Sequence, residues 1–329
     1  MARKYVRFNY FELQLVPAQV AVMQDIDEDA APIPYQSAAW DMSAFLDYLH
    51  VHKEVFRTTV PIGEEFAEIE KDSYSFDQRR NVYGFQLSKL RDKNIPSKKK
   101  FGEIKEDILL DQDEFIGEFT SILYDNTYKA VMVQSNLYGL STKQIEQVLT
   151  ELRFRYLDRL GRPEQSPLVV KLVPLIDQSK VERVINADYY KKIRIRASDV
   201  MLDAALGEDG LLSDTRRMLM ESSGVNIDIT ISLGRAEKTA SLDQENIRRV
   251  LNDFRHMELP RRPFIELTAL ENEEAEIETI NLIEPRMTDR ISIEVEPRTT
   301  VAHEFLFQNM LTVYDERRPD VRRVLRPLG

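Results

Sequence analysis

Polar and apolar residues alternate from Tyr5 to Val16, with Tyr5, Arg7 and Asn9 on one side and Val6, Phe8 and Tyr10 on the other. That two-residue period predicts a strand. Residues 25–34 are acidic and carry prolines, which reads as an exposed loop. Asp41 or Ser37 is placed to cap a helix running to Phe56, with Trp40, Phe45, Leu49 and Phe56 spaced toward a core. After Pro61 come five strand patterns, over residues 65–75, 82–90, 103–110, 115–123 and 128–134. Strands that follow one another without helices between them predict an antiparallel meander.

Ser141 and Gln144 form a capping-box start to a helix carrying Ile145, Val148, Leu149, Leu152 and Tyr156. Gly161 to Pro167 (GRPEQSP) reads as the linker of the chain. Beyond it the pattern predicts a strand over 168–176, a short helix over 180–185, a strand over 189–197 and a helical stretch over 200–221. A strand over 225–233 precedes a helix capped by Ser241 and ending near Met257. Strands over 264–269, 277–283 and 291–296 follow, then a last helix with Phe305, Leu306, Met310 and Leu311. The class is α+β with mostly antiparallel sheets and interspersed helices, in two subdomains. Residues 1–160 form a β-rich N-terminal domain and residues 168–329 an α+β domain with basic clusters.

Composition narrows the chemistry. The 329 residues include no cysteine, which excludes disulfides, thiolate metal sites and a cysteine nucleophile. No apolar run reaches the roughly 18 residues of a membrane span, and the basic start of the chain alternates, unlike a signal-peptide core. A cytoplasmic location is expected. The formal charge is −11, yet it is segregated: residues 141–200 hold 12 basic and 8 acidic groups, residues 264–300 hold 3 and 10. A segregated field can steer an anionic partner to one face of an acidic protein.

The phosphate-cradling patterns G-x-x-x-x-G-K-[ST] and G-x-G-x-x-G are absent. His303-Glu304 lacks the second histidine of a zinc-protease helix, and His50 and His52 point apart on the predicted helix. One nuclease-like element is present: Glu103-Ile104-Lys105 on a predicted strand, following Asp77 and Asp92. Acidic pairs of this kind hold Mg²⁺ while a lysine positions water; an edge strand with a solvated charged face reads the same way. No catalytic residue, metal site or cofactor is assigned.

The basic clusters say more. On the strand over 189–197, Lys192, Arg194 and Arg196 share one face while Ile193 and Ile195 share the other. Such a stripe can follow a phosphate backbone or form a solvated sheet face. On the helix after Ser241, Arg248, Asn252 and Arg255 fall on one side with Arg249 beside them, and Arg261 and Arg262 follow. A group at Arg153, Arg155, Arg159 and Arg162 and a tail at Arg317, Arg318, Arg322, Arg323 and Arg326 repeat the theme. Together they point to an anionic polymer.

The segments Glu114–Asp125 (EFIGEFTSILYD), Val131–Ser141 (VMVQSNLYGLS), Leu172–Ile176 (LVPLI) and Ile231–Lys238 (ISLGRAEK) followed by Ser241-Leu242 resemble a bacterial family known as a domain of unknown function. That likeness covers about residues 110–256. More distantly, the chain resembles the phage lambda exclusion protein RexA and the KwaB component of the Kiwa anti-phage system, in the order strand, strand ending in Tyr-Gly, helix, strand with Pro, basic strand. The resemblance implies DNA binding in phage defence, two domains and dimerisation. The expected function is therefore a non-enzymatic, sequence-tolerant DNA-binding protein, a homodimer through its C-terminal helix, acting with or without a second defence protein. A metal-dependent nuclease using Glu103 and Lys105, and a protein-interaction subunit that binds no DNA, are the alternatives.

Overall fold

The computed structural model describes residues 2–19, 38–198, 210–256, 263–272, 274, 277–282 and 285–326. The chain divides into two compact units, the first made of Met1–Leu175 with Met287–Gly329 and the second of Ile176–Arg286. The class is α+β, with antiparallel sheets. The sequence-based linker, 161–167, lies inside the first unit, and residues 287–329 return to that unit. Pairing between the two ends of the chain draws them together, and no local pattern announces it.

In chain order the first unit comprises β1 (Ala2–Pro17), β2 (Ala38–Ala39), α1 (Ser43–Val51), β3 (Val60–Ile62), β4 (Glu65–Ile69), β5 (Ser75–Asp77) and β6 (Val82–Arg91). Then come β7 (Ser97–Lys98), β8 (Glu106–Asp107), β9 (Ile116–Asp125), β10 (Ala130–Ser135), α2 (Thr142–Arg159) and β11 (Leu168–Pro174). The second unit holds α3 (Gln178–Ile185), β12 (Tyr189–Ser198), α4 (Leu211–Glu221), β13 (Asn226–Ser232), α5 (Gln244–His256), β14 (Phe264–Leu270) and β15 (Glu278–Asn281). The first unit closes with β16 (Thr288–Val295) and α6 (His303–Leu325).

A 10-stranded sheet organises the first unit along the path β11-β1-β10-β9-β6-β4-β3, with β16 also paired to β1. The alternation read at the start of β1 reflects one-sided burial, Val6, Phe8 and Tyr10 being buried while Tyr5 and Arg7 are exposed; further along, both faces of the sheet are covered. Phe11 and Leu13 enter a core with Phe45, Leu46 and Leu49 of α1 and Ile145, Val148 and Leu152 of α2. Val6, Phe8 and Tyr10 enter the opposite core with Leu306, Phe307, Met310 and Tyr314 of α6. A strand buried on both sides reads as nearly continuous apolar sequence, as β6 does from Val82 to Ser88. The α2 capping box forms as expected, Gln144 N bonding Ser141 Oγ at 3.3 Å and Ser141 N bonding Gln144 Oε1 at 2.9 Å.

The second unit is a 4-stranded antiparallel sheet in the order β13-β12-β14-β15. Ile193, Ile195, Ile265 and Leu267 from its inner face pack with Ile247, Val250, Leu251 and Phe254 of α5. Asp243 caps α5, its carboxylate accepting from Asn246 N at 2.8 Å. Ser241, expected in that role, instead accepts from Tyr190 N at 2.9 Å and ties the approach of the helix to β12.

Candidate anion-binding site

Asp125 ends β9 and is wholly buried. Its Oδ1 accepts from the amides of Thr127 at 2.7 Å and Tyr128 at 3.3 Å, which folds the tight connection to β10 around the carboxylate. Its Oδ2 accepts from the Tyr314 hydroxyl at 2.9 Å and lies 2.9 Å from Arg318 Nε. A buried carboxylate is costly unless its lone pairs are met by several donors, and this one has donors on both oxygens. Burial, with Asp125 adding to it, pushes the Tyr314 phenol well above its ordinary range, so it stays a donor. One carboxylate thus fixes the β9–β10 turn and the fourth turn of α6 at a single point.

That anchor shapes a cleft of about 990 Å³ lined by Tyr128, Asp315, Arg318, Pro319, Arg322, Arg323 and Arg326. The guanidinium groups of Arg318 and Arg326 lie over the Tyr128 ring, 5.6 and 5.3 Å from its centroid. Arg326 also donates to Thr127 O at 2.9 Å, and Arg318 to Arg80 O at 2.9 Å. The acids nearby are engaged: Asp315 by Arg80 at 2.7 Å, Asp320 by Arg317 at 3.0 Å and by Arg323 at 3.1 Å. Arg322 and Arg326 have no carboxylate partner among the described residues and carry the surplus positive charge. Guanidinium groups steadied by an aromatic ring and a carbonyl lose little freedom when they take up a phosphate with two parallel hydrogen bonds.

The expected β12 stripe has a different character. Lys192, Arg194 and Arg196 do share the outer sheet face, but their cross-strand neighbours are acidic or aromatic. Lys192 pairs with Glu266 at 3.1 Å, Arg194 with Asp228 at 2.6 Å, and Arg196 lies 3.9 Å over the Phe264 ring. The Arg194 guanidinium holds Asp228 below its ordinary carboxylate range. On α5, Arg248 and Asn252 are exposed and Arg249 is paired with Glu245. Since α5 packs on the isoleucine face of β12, its basic side and the β12 stripe lie on opposite faces of the layer. The structure does not bring them together. The side chain of Arg255, and Arg261 and Arg262 entirely, lie outside the described residues.

Two of the α2 arginines are structural, while Arg159 at the end of the helix is exposed. Arg153 is buried, donates to Glu164 Oε2 at 2.9 Å and Leu168 O at 3.0 Å, and lies over Trp40. Arg155 is held by Glu151 at 2.9 Å and by Thr59 O at 2.8 Å. Glu103 and Lys105 are not on a strand: β8 is only Glu106–Asp107, and Glu103 sits in an exposed turn 3.5 Å from Lys100. Asp77 is engaged by Arg80 at 2.5 Å. No group of three or more histidine, cysteine or acidic side chains that could hold a metal ion occurs among the described residues. His50 stacks on Tyr74, centroids 4.2 Å apart, and His52 lies 4.2 Å from Tyr48. Both belong to aromatic packing.

A second cleft, about 500 Å³, runs beside α1, with Leu46, Leu49, Phe56, Ile69 and Phe85 among its apolar lining. No local pattern announces it, because its walls come from three separate stretches of chain, within 46–59, within 68–74 and at Phe85. The arginine cleft left a partial signal. Arg318, Arg322 and Arg326 recur every four residues and so share one helical face.

Residues 1–323 match the model of a family of unknown function, DUF6731. The chain belongs to that family. The match extends well beyond the 110–256 region that carried the sequence resemblance and takes in the arginines of α6 up to Arg323. No curated protein matches this DUF6731 member. No helix among its described residues is long and apolar enough to cross a membrane.

Proposed function

We propose that this protein is a non-enzymatic, sequence-tolerant DNA-binding protein whose principal phosphate contacts are Arg322 and Arg326 in the cleft over Tyr128. The single observation that carries the reading is the surplus of cations there: two guanidinium groups with no carboxylate partner among the described residues, beside two more arginines, at the end of one helix. Guanidinium forks suit phosphodiester oxygens, and contacts to phosphate carry no base preference. The placement in phage defence rests on the resemblance to RexA and KwaB, as does association with a second defence protein. Of the five α6 residues expected at a dimer interface, Leu306, Met310, Leu311 and Tyr314 are buried against their own sheet and Phe305 alone is exposed, so the homodimer is proposed on a different surface.

Fluorescence anisotropy of labelled duplexes of two unrelated sequences, titrated across a salt series with and without Mg²⁺, tests the reading. Equal affinity for both sequences, steep loss with salt and intact DNA are expected. Cleavage in Mg²⁺, or affinity that salt does not alter, contradicts it.

A further inference from the structure

Strand β13 ends the sheet of the second unit, and its sequence, Asn226-Ile-Asp-Ile-Thr-Ile-Ser232, lacks the usual protections of an edge. Exposed edges are normally blunted by lysine, proline or unpaired charge. Other edges have them: β3 carries Pro61, β11 Pro174, and β16 Arg290 and Glu294, while β15, the opposite edge of the same sheet as β13, is only 4 residues long. The one charge on β13 is Asp228, and Arg194 of the neighbouring strand already engages it. What is left is a β-branched strand with isoleucine at every second position, the composition that pairs most readily with another strand.

The register fixes which backbone groups are open. Leu233 N donates to Lys191 O at 3.1 Å, and Ile231, Ile229 and Ile227 stand opposite Ile193, Ile195 and Ala197. By the alternation of an antiparallel ladder, these odd positions turn their amides and carbonyls to β12. Asn226, Asp228, Thr230 and Ser232 therefore turn theirs outward, and no strand pairs with them among the described residues.

We propose that β13 is the interface for a second copy of this chain, paired antiparallel about a two-fold axis at Ile229. In that register Asn226 faces the partner's Ser232 and Asp228 faces the partner's Thr230, so all four outward-facing residues find hydrogen-bonded opposites. Ile227 meets the partner's Ile231, and Ile229 meets its own copy, which covers Ile231, 38% exposed in the single chain. Centring the axis on Asp228 instead would set two carboxylates against each other; centring it on Thr230 leaves fewer residues paired. The sequence is self-complementary in one register. Closed two-fold association is also the commonest way a chain meets itself. This deepens the dimer part of the proposed function and is independent of its DNA part.

Sedimentation velocity of the full chain at micromolar concentration, without DNA, tests it. The intact protein sediments as a dimer. Thr230→Asp places two like-charge pairs across the axis while setting the new carboxylate opposite Arg194 in its own sheet, and weakens the dimer roughly tenfold or more. Adding Asp228→Thr to it exchanges the two residues and restores the dimer. Thr230→Pro removes an outward amide that β12 does not use, and gives a folded monomer. A monomeric intact chain overturns the proposal, as does a dimer that survives both Thr230→Asp and Thr230→Pro with unchanged circular dichroism. Neither result bears on the arginine cleft, which salt-dependent DNA binding reads separately.

Discussion

The Tyr314 hydroxyl donates to the buried carboxylate of Asp125 at 2.9 Å, joining residues 189 positions apart. Arg318, one turn further along α6, reaches the same oxygen, so the floor and wall of the arginine cleft share one support. Tyr314→Phe leaves the carboxylate its other donors and should cost about 1–3 kcal/mol of stability. Asp125→Ala removes the acceptor of Tyr314, the ion-pair partner of Arg318 and the support of the turn amides together, and should cost about 3–5 kcal/mol. Urea unfolding orders the two; equal, small losses would remove Asp125 from this role.

Gly84 on β6 makes the docking of α6 possible. A Cβ there would lie 2.6 Å from Cζ of Phe307 and 2.5 Å from Ser75 Oγ. Gly84→Ala should therefore destabilise the protein by roughly 1–3 kcal/mol through overpacking. Gly63, whose added Cβ would meet nothing within 4 Å but whose φ is +67°, is the comparison: Gly63→Ala costs backbone strain alone. A stable Gly84→Ala protein, measured by thermal unfolding, would show that α6 packs less closely than described.

Much of the fold was legible wherever local pattern decided it. The periods of β1, β6, β9, β10 and β12 and the capping box at Ser141 each report a neighbourhood of a few residues, and each element lies near where its pattern falls. The misplaced features depend on distance or context. The strand expected over 103–110 shrinks to Glu106–Asp107, because its charged residues have no apolar face to cover. The return of β16 to β1 pairs Ala2 with Val295, and no period encodes that. At the site, charge spacing pointed to the arginines but not to their partners. Asp228 and Glu266 on adjoining strands pair two of the three cations of the β12 stripe, whereas Arg322 and Arg326 keep their charge because nearby acids are held by Arg80, Arg317 and Arg323.

His303 opens α6 with Nδ1 3.0 Å from Ser121 Oγ, and burial lowers its pKa from the ordinary 6.5. The folded state thus favours the neutral ring. Above pH 6.5 neither state binds the proton and His303 adds nothing to the pH dependence. As pH falls through that value the unfolded chain takes up the proton first, so stability declines until the folded-state pKa is passed. Thermal midpoints between pH 7.5 and 5.5 should fall with acid in the wild type and fall less in His303→Gln. Identical slopes would contradict the assignment.

The central claim is that DNA phosphates are met in the cleft over Tyr128 and not on the β12 stripe. The most direct measurement compares salt slopes of DNA affinity for the wild type, Arg322→Ala/Arg326→Ala and Lys192→Ala/Arg194→Ala/Arg196→Ala. Each lost phosphate contact should reduce the log–log slope by about 0.9, so the cleft variant should lose nearly two, weakly binding every sequence alike. The strand variant, whose Lys192 and Arg194 already answer their own carboxylates, should keep the wild-type slope. A flattened slope in the strand variant with a wild-type slope in the cleft variant would contradict the account.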